Sequence, residues 1–105
     1  MEDKPIQDLK QSLLKSNWPK CNGIALEISS YNNQEAKLAL IEALEKGERH
    51  HIRTAAIKAL VNFKDPDVIE ALKKRLDDPA YEPRVEAKNV LKDLTGDDYI
   101  TTKGE

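Results

Sequence analysis

Apolar residues recur along this chain at intervals of three and four positions, which places them on one side of an α-helix. The clearest stretch runs from Arg53 to Phe63, and the same pattern returns 31 residues later between Arg84 and Leu94. No segment keeps up the alternation of apolar and polar residues that a strand requires. The pattern therefore predicts an all-α protein.

Two families of helices alternate along the chain. The pattern that starts at Arg53 has a weaker earlier copy at Cys21–Tyr31, and these stretches are called the B helices. Between them lie the A helices, whose central leucines are 31 or 32 residues apart: Leu9, Leu40 and Leu72. The predicted helices span 5–15, 18–31, 34–46, 49–63, 66–77 and 83–95, which gives three A–B pairs over 5–31, 34–63 and 66–95.

A single helix pair of this size cannot bury its own apolar side, so the pairs must stack on one another. The predicted fold is a short right-handed α-solenoid of three helix pairs. It forms one domain over residues 1–96. Residues 97–105 are expected to form a flexible tail, because only Tyr99 and Ile100 in that segment are suited to burial.

Several residues at the predicted helix ends are of the types that start or stop helices. Asp65 followed by Pro66 offers a capping carboxylate and then a proline at the first helical position. The other expected signals are two N-caps and two left-handed glycines after helix ends: Asn17, Asn33, Gly47 and Gly96.

The middle pair is more apolar than the last one at equivalent positions. Leu38, Ile41, Ile57 and Val61 stand where the last pair has Glu70, Lys73, Lys88 and Lys92. Only a middle pair has neighbours on both sides, so these four apolar residues are expected to be sheltered by the stack. Polar outer positions then predict a complete three-repeat unit that stays monomeric.

Composition and charge narrow the classes of partner. Charged residues make up 34% of the chain and interrupt every apolar stretch, so no membrane-spanning helix is expected. Lys and Arg total 17 against 19 Asp and Glu, which is a poor basis for binding the phosphates of a nucleic acid. The first ten residues have no apolar stretch behind a basic start, and the lone Cys21 cannot form an internal disulfide. A cytoplasmic location is expected.

The residue types that carry catalysis or bind metals form no recognisable site. His50 and His51 are adjacent at a predicted helix start, so their side chains leave the helix about 100° apart. We therefore expect them not to chelate one metal ion. Cys21 lies on the apolar side of its helix and is expected to be a core residue, not a nucleophile or a bilin attachment point. With no phosphate-binding loop and no nucleophile elbow, the sequence predicts no enzyme activity and no cofactor.

The side of the B helices that faces away from the A helices is expected to form a shallow groove for a protein partner. Trp18 is expected to fill the first groove between helices, with an exposed aromatic anchor as the alternative. Tyr81 is expected to be exposed. The predicted partner-binding residues are Asn22, Leu26, Thr54, Lys58, Asn62, Val85 and Asn89, together with Tyr81.

Residues 34–95 resemble HEAT repeats, particularly the short, alanine-rich variety of phycobilisome lyase subunits. The resemblance is carried by Arg53 with its alanines, by Asp65-Pro66, and by the Asp77-Asp78 turn before Arg84. It is faint over residues 5–31, where Cys21 replaces the expected arginine.

The resemblance implies both a structural feature and a function. In the family, an aspartate of the turn and an arginine of the B helix form a ladder between repeats, and Arg53, Asp78 and Arg84 match those positions. Family membership implies an α-solenoid with a grooved face that binds other proteins, and it implies no single chemistry. The leading prediction is a non-enzymatic interaction module. The alternative that it suggests is an accessory to phycobilin attachment or removal.

Overall fold

The computed structural model describes residues 5–101. In that range the chain forms six α-helices and no strand: α1 (Ile6–Lys15), α2 (Lys20–Ser30), α3 (Gln34–Lys46), α4 (His50–Ala59), α5 (Pro66–Lys74) and α6 (Tyr81–Thr95). Short 3₁₀ turns at Leu60–Asn62 and Arg75–Asp77 extend α4 and α5. The predicted all-α class is confirmed. Over these residues, no helix has the length and apolar content needed to cross a bilayer.

The helices form two layers of a short α-solenoid. The A helices α1, α3 and α5 pack side by side, and the B helices α2, α4 and α6 do the same against them. Leu9, Leu40 and Leu72, at the centres of the A helices, are buried, as are Ile28 and Leu91 of the B layer. One continuous core therefore runs through all three pairs, as stacking of the pairs requires.

Some of the expected helix-end signals are found in the structure. Asn33 caps α3, since its side-chain oxygen accepts a hydrogen bond from the Ala36 amide at 2.8 Å. Gly96 closes α6 in the left-handed conformation, with φ of 80°, and Pro66 is the first residue of α5. These three predictions are confirmed.

Two predicted caps are wrong, because other groups occupy their side chains. Asn17 does not cap α2, which begins only at Lys20, and its side-chain oxygen accepts from the Trp18 amide instead. Asp65 makes no side-chain cap to α5. Its carboxylate lies 3.0 Å from the Lys37 ammonium group of the preceding A helix.

Gly47 has a different role from the one predicted. Its φ of −62° is open to any residue, so it is not a left-handed cap. A Cβ atom at this position would lie 2.7 Å from the Ala43 carbonyl oxygen and 2.8 Å from Cγ2 of Ile52. Glycine is needed here for space between α3 and α4.

The stack shelters the middle pair only in part. Ile57 is fully buried and Ile41 packs half-buried against the core, in line with the prediction. Leu38 and Val61 are exposed, so the prediction is wrong for them. On α3 the inward positions are taken by the buried Lys37 and by Ala39, on either side of Leu38, which leaves Leu38 facing solvent.

The segment after α6 turns back onto the last pair. Tyr99 is half-buried against the core, with the Lys73 ammonium group 5.9 Å from the centre of its ring. Asp98 pairs with Lys92 at 3.1 Å, and Thr101 is buried. Burial in this segment therefore falls on Tyr99 and Thr101, and the expectation that Ile100 is suited to burial is wrong, since its side chain is 85% exposed. The expected flexibility of residues 97–105 stays a prediction. Residues 102–105 of the predicted tail and 1–4 of the predicted domain lie outside the described part of the chain.

Candidate functional site

The exposed side of α2, α4 and α6, here called the B face, carries most of the predicted partner-binding residues. Leu26, Lys58 and Asn89 occupy equivalent positions in the three pairs, 32 and 31 residues apart, and all three are exposed. Asn62 is also exposed, while Asn22 and Val85 are half-buried. The B face is thus a mixture of amide, apolar and basic side chains.

Thr54 does not belong to the B face. It is buried, and its hydroxyl donates a hydrogen bond to the His50 carbonyl oxygen at 2.8 Å. The equivalent residues Asn22 and Val85 lie on the outer B helices and keep partial exposure. Because α4 has a B helix on each side, the same position is covered there.

Glu86 is an acidic residue of the B layer that the sequence reasoning missed. Burial raises the pKa of this half-buried carboxyl group, while the nearby charge of Lys58 acts in the opposite direction. The sequence held a signal, because Glu86 stands 31 residues after the buried Ala55 and so places a carboxylate at a core-like position.

Asp78 links the second and third pairs through a buried ion pair with Arg53. The guanidinium group of Arg53 donates two hydrogen bonds to the Asp78 carboxylate, at 2.8 and 2.9 Å. Arg75 donates a third at 3.1 Å, and the Ala80 amide donates a fourth at 2.9 Å. Arg84 contacts the same residue differently, since its guanidinium group donates to the Asp78 carbonyl oxygen at 3.0 Å.

The surroundings of Asp78 keep its carboxyl group ionised. Burial by itself acts to raise the pKa, but the hydrogen bonds from Arg53 and Ala80 and the charges of Arg53 and Arg75 outweigh it. The net effect is a pKa below the ordinary value of an aspartate. Asp78 therefore acts as a permanent anion between two repeats at neutral pH.

The first pair has no arginine–aspartate ion pair of this kind at the equivalent position, and a weaker hydrogen bond joins it to the second pair there. Cys21 takes the position of the arginine, is fully buried, and donates from Sγ to the His51 carbonyl oxygen at 3.5 Å. Burial raises the pKa of its thiol, which keeps it protonated. A buried, protonated thiol suits a core residue and not a nucleophile.

The A layer has inter-repeat ion pairs that the sequence reasoning did not find. The buried Lys37 lies 3.0 Å from both Asp65 and Asp67 at the start of α5. Lys10 of α1 lies 3.1 Å from Glu42 of α3. The two residues of each ion pair are about one repeat apart in sequence. The repeat length could therefore have predicted these pairs.

A column of rings runs along the edge where the B helices begin. Trp18, His50 and Tyr81 occupy equivalent positions in the three pairs. Trp18 is 61% exposed, so the prediction that it fills a groove in the core is wrong. Since α2 begins only at Lys20, Trp18 stands before the helix and not within its packed turns. Tyr81 is exposed, with the Arg84 guanidinium group 5.9 Å from its ring centre.

The two histidines of this edge lie together, contrary to the sequence argument. Their ring centres are 3.9 Å apart. Nδ1 of His51 lies 3.3 Å from Oε1 of Glu82, and Nδ1 of His50 lies 3.7 Å from the same oxygen. The 100° angle applies to the Cα–Cβ bonds, and rotation about the side-chain bonds brings the rings back together. Glu82 is the equivalent of His51 one repeat later, so stacking places it beside them.

A shallow cavity of about 410 Å³ adjoins the histidines. Asn17, Glu48, Arg49, Pro79 and Ala80 contribute to its walls. The edge therefore combines exposed rings, an acid–imidazole cluster and a shallow depression.

The sequence was also compared with known proteins. A model of HEAT repeats matches residues 6–92, which include all of α1 to α5 and most of α6. Comparison with curated proteins and with solved structures finds no match.

Proposed function

We propose that this chain, which belongs to the HEAT-repeat family, is a non-enzymatic module that binds a protein partner through its B face. Stacked helical repeats present extended surfaces of this kind to other proteins. A short stack offers a small surface, which suits a modest protein–protein contact.

The observation that carries the proposal is the exposure of Leu26. Its side chain is 59% exposed on the B face, at the position where α4 has Lys58 and α6 has Asn89. In the next two repeats an ammonium group and an amide take the equivalent positions, and the half-buried Glu86 carboxyl group lies near Lys58. A partner that offers an apolar residue to Leu26, with polar groups around it, would match this arrangement.

Leu38 provides a matched control for Leu26. It is 49% exposed and lies on α3, in the A layer. Leu26→Asp and Leu38→Asp therefore make the same chemical change, with similar exposure, on opposite layers. We expect both variants to keep the far-UV circular dichroism spectrum and nearly the thermal midpoint of the native protein.

The test is a cross-linking capture from the native cell in which each bait is compared by quantitative mass spectrometry. We expect one set of proteins to be captured by the native chain and by Leu38→Asp, and to be depleted about tenfold with Leu26→Asp, which corresponds to about 1.4 kcal/mol. Lys58→Glu should deplete the same set, and Lys74→Glu on α5 should not. Equal capture by all baits would show that the B face is not the binding surface.

We also propose that the module acts as a monomer in the cytoplasm. Lys73 is exposed at the position where the middle pair has the half-buried Ile41, and its charge opposes further stacking. An unpaired thiol suits a reducing compartment. The alternative, an accessory role in phycobilin attachment or removal on other proteins, rests on the resemblance alone. The burial of Cys21 argues only against attachment of a bilin to this chain.

A further inference from the structure

We propose that His50, His51 and Glu82 form a binding site for a divalent transition-metal ion such as Zn²⁺. One ligand atom from each residue lies within 4.8 Å of the other two. The distances from Oε1 of Glu82 to Nδ1 of His51 and of His50 are 3.3 and 3.7 Å. Zinc bonds of about 2.0–2.1 Å in a tetrahedron place neighbouring ligand atoms about 3.3 Å apart. The two distances to Glu82 are therefore already close to those of a zinc site, and rotation of the imidazole rings would have to supply the rest of the geometry.

The donor set is of the kind that zinc uses in open sites. Two imidazole nitrogens and one carboxylate oxygen leave a fourth position for water or another ligand. His50 and Glu82 are exposed, so this fourth position can face solvent. Nδ1 of His51 has no access to solvent, and Oε1 of Glu82, 3.3 Å away, is not aligned for a hydrogen bond with it. A buried imidazole nitrogen without a hydrogen bond is a donor that a metal ion would satisfy.

The backbone on both sides of the cluster is held in place. The Cys21 thiol contacts the His51 carbonyl oxygen, and the Thr54 hydroxyl donates to that of His50. On the other side, Asp78 binds Arg53 of α4 and accepts from the Ala80 amide just before α6. The buried ion pair therefore sets the distance between the start of α4, which carries the histidines, and the start of α6, which carries Glu82. Such support is what a metal site needs from its surroundings.

The local charges partly oppose a cation, and the donors must overcome them. The starts of α4 and α6 carry partial positive charge, and Arg49 lines the adjoining cavity. Glu82 supplies one negative charge directly, and Glu48 on the same cavity supplies another. Bonds from three donor atoms to a transition metal far exceed the effect of an exposed helix end. We therefore expect moderate affinity, weaker than that of a closed four-ligand site.

An ion pair between the Glu82 carboxylate and an imidazole is the alternative explanation of this cluster, and it needs no metal. The two explanations differ in the response to Zn²⁺, because only a metal site binds the ion through all three side chains and loses affinity when the Glu82 carboxylate is removed.

The test is a Zn²⁺ titration of the full chain after removal of metal with a chelator, at about pH 7.5, where free imidazole is mostly neutral. Binding is measured by competition with a chromophoric chelator and by calorimetry. We expect one ion per chain with micromolar affinity, and a rise of the thermal midpoint as Zn²⁺ is added. Glu82→Gln and His51→Gln should each weaken binding at least about tenfold.

Glu48→Gln is the matched control, because it removes one negative charge from the same edge without removing a ligand. It should change the affinity less than about threefold, since a charge that is not a ligand acts through screened electrostatics only. Circular dichroism checks that every variant keeps the native fold. Native-like Zn²⁺ affinity in Glu82→Gln would indicate adventitious binding to the two histidines and would overturn the proposal, as would the lack of any binding by the native chain.

Discussion

Asp78 shows how one buried side chain can join two repeats. Its carboxylate accepts from Arg53 in the second pair and from Arg75 and Ala80 in the third. The side chain has no access to solvent. Removing one partner of such a pair leaves the other charge buried without compensation, which costs more than the loss of one hydrogen bond.

We predict that Asp78→Asn lowers the free energy of unfolding by about 2–4 kcal/mol, because the Arg53 guanidinium group then stays buried without its anion. Urea denaturation at neutral pH measures the effect. Asp93→Asn, at an exposed position on α6, is the control and should change stability by less than about 0.5 kcal/mol. Equal effects from the two variants would mean that the ion pair does not stabilise the fold.

The same residue predicts how stability depends on pH. The pKa of Asp78 is lowered in the folded protein, so its contribution is present above the unfolded value of about 4 and is lost as the pH falls through the folded pKa. Urea midpoints measured from neutral pH down into this acid range should fall more steeply for the native chain than for Asp78→Asn. Parallel profiles would contradict the prediction.

At the scale of helices, the sequence predicted most of the structure. The six helices and the two-layer order followed from apolar spacing, because burial of one side of each helix decides where it forms. The misassigned residues have other causes. Asp65 and Thr54 have side chains whose roles depend on neighbours from other turns or pairs, and single-residue preferences do not specify those neighbours. Asn17 was misassigned because α2 begins two residues later than predicted.

The candidate site was harder to predict for the same reason. The exposure of Leu26 and Lys58 followed from their position on the helix. The cluster of His50, His51 and Glu82 depends on side-chain rotation and on the stacking of one repeat upon the next. In the sequence, only the repeat length indicated that Glu82 lies near the histidines, since equivalent positions of stacked repeats become neighbours.

Asn33 and Asn17, both expected to cap a helix, give a prediction at the level of single helices. Asn33→Ala removes the hydrogen bond to the Ala36 amide at the start of α3 and should cost about 1 kcal/mol. Asn17→Ala removes no helix cap, because α2 starts later, and should cost much less. Thermal denaturation of both variants compares them directly, and a larger effect at Asn17 would reverse the assignment of the caps.

The molecule as a whole is a stack whose last pair is partly covered by its own chain. Tyr99 lies beside Lys73 of α5, and Asp98 pairs with Lys92 of α6. These two lysines occupy the positions that Ile41 and Val61 have in the middle pair. A further helix pair that stacked on α5 beside Lys73 would therefore meet Tyr99.

We predict that Tyr99→Ala lowers the free energy of unfolding by about 1–2 kcal/mol, because the ring packs against the core. Ile100→Ala is the neighbouring control, since its side chain is 85% exposed and makes little contact. It should leave stability within about 0.5 kcal/mol of the native value. Chemical denaturation of the two variants decides the matter, and no loss in Tyr99→Ala would mean that this segment adds nothing to the fold.

The return of residues 97–101 also fixes where a probe on this segment would sit. Ile100 is 85% exposed, yet it stands between Tyr99, which lies beside Lys73 of α5, and the buried Thr101. A fluorophore attached at position 100 would therefore report from the side of the last pair, and distances measured from it should be interpreted from that origin.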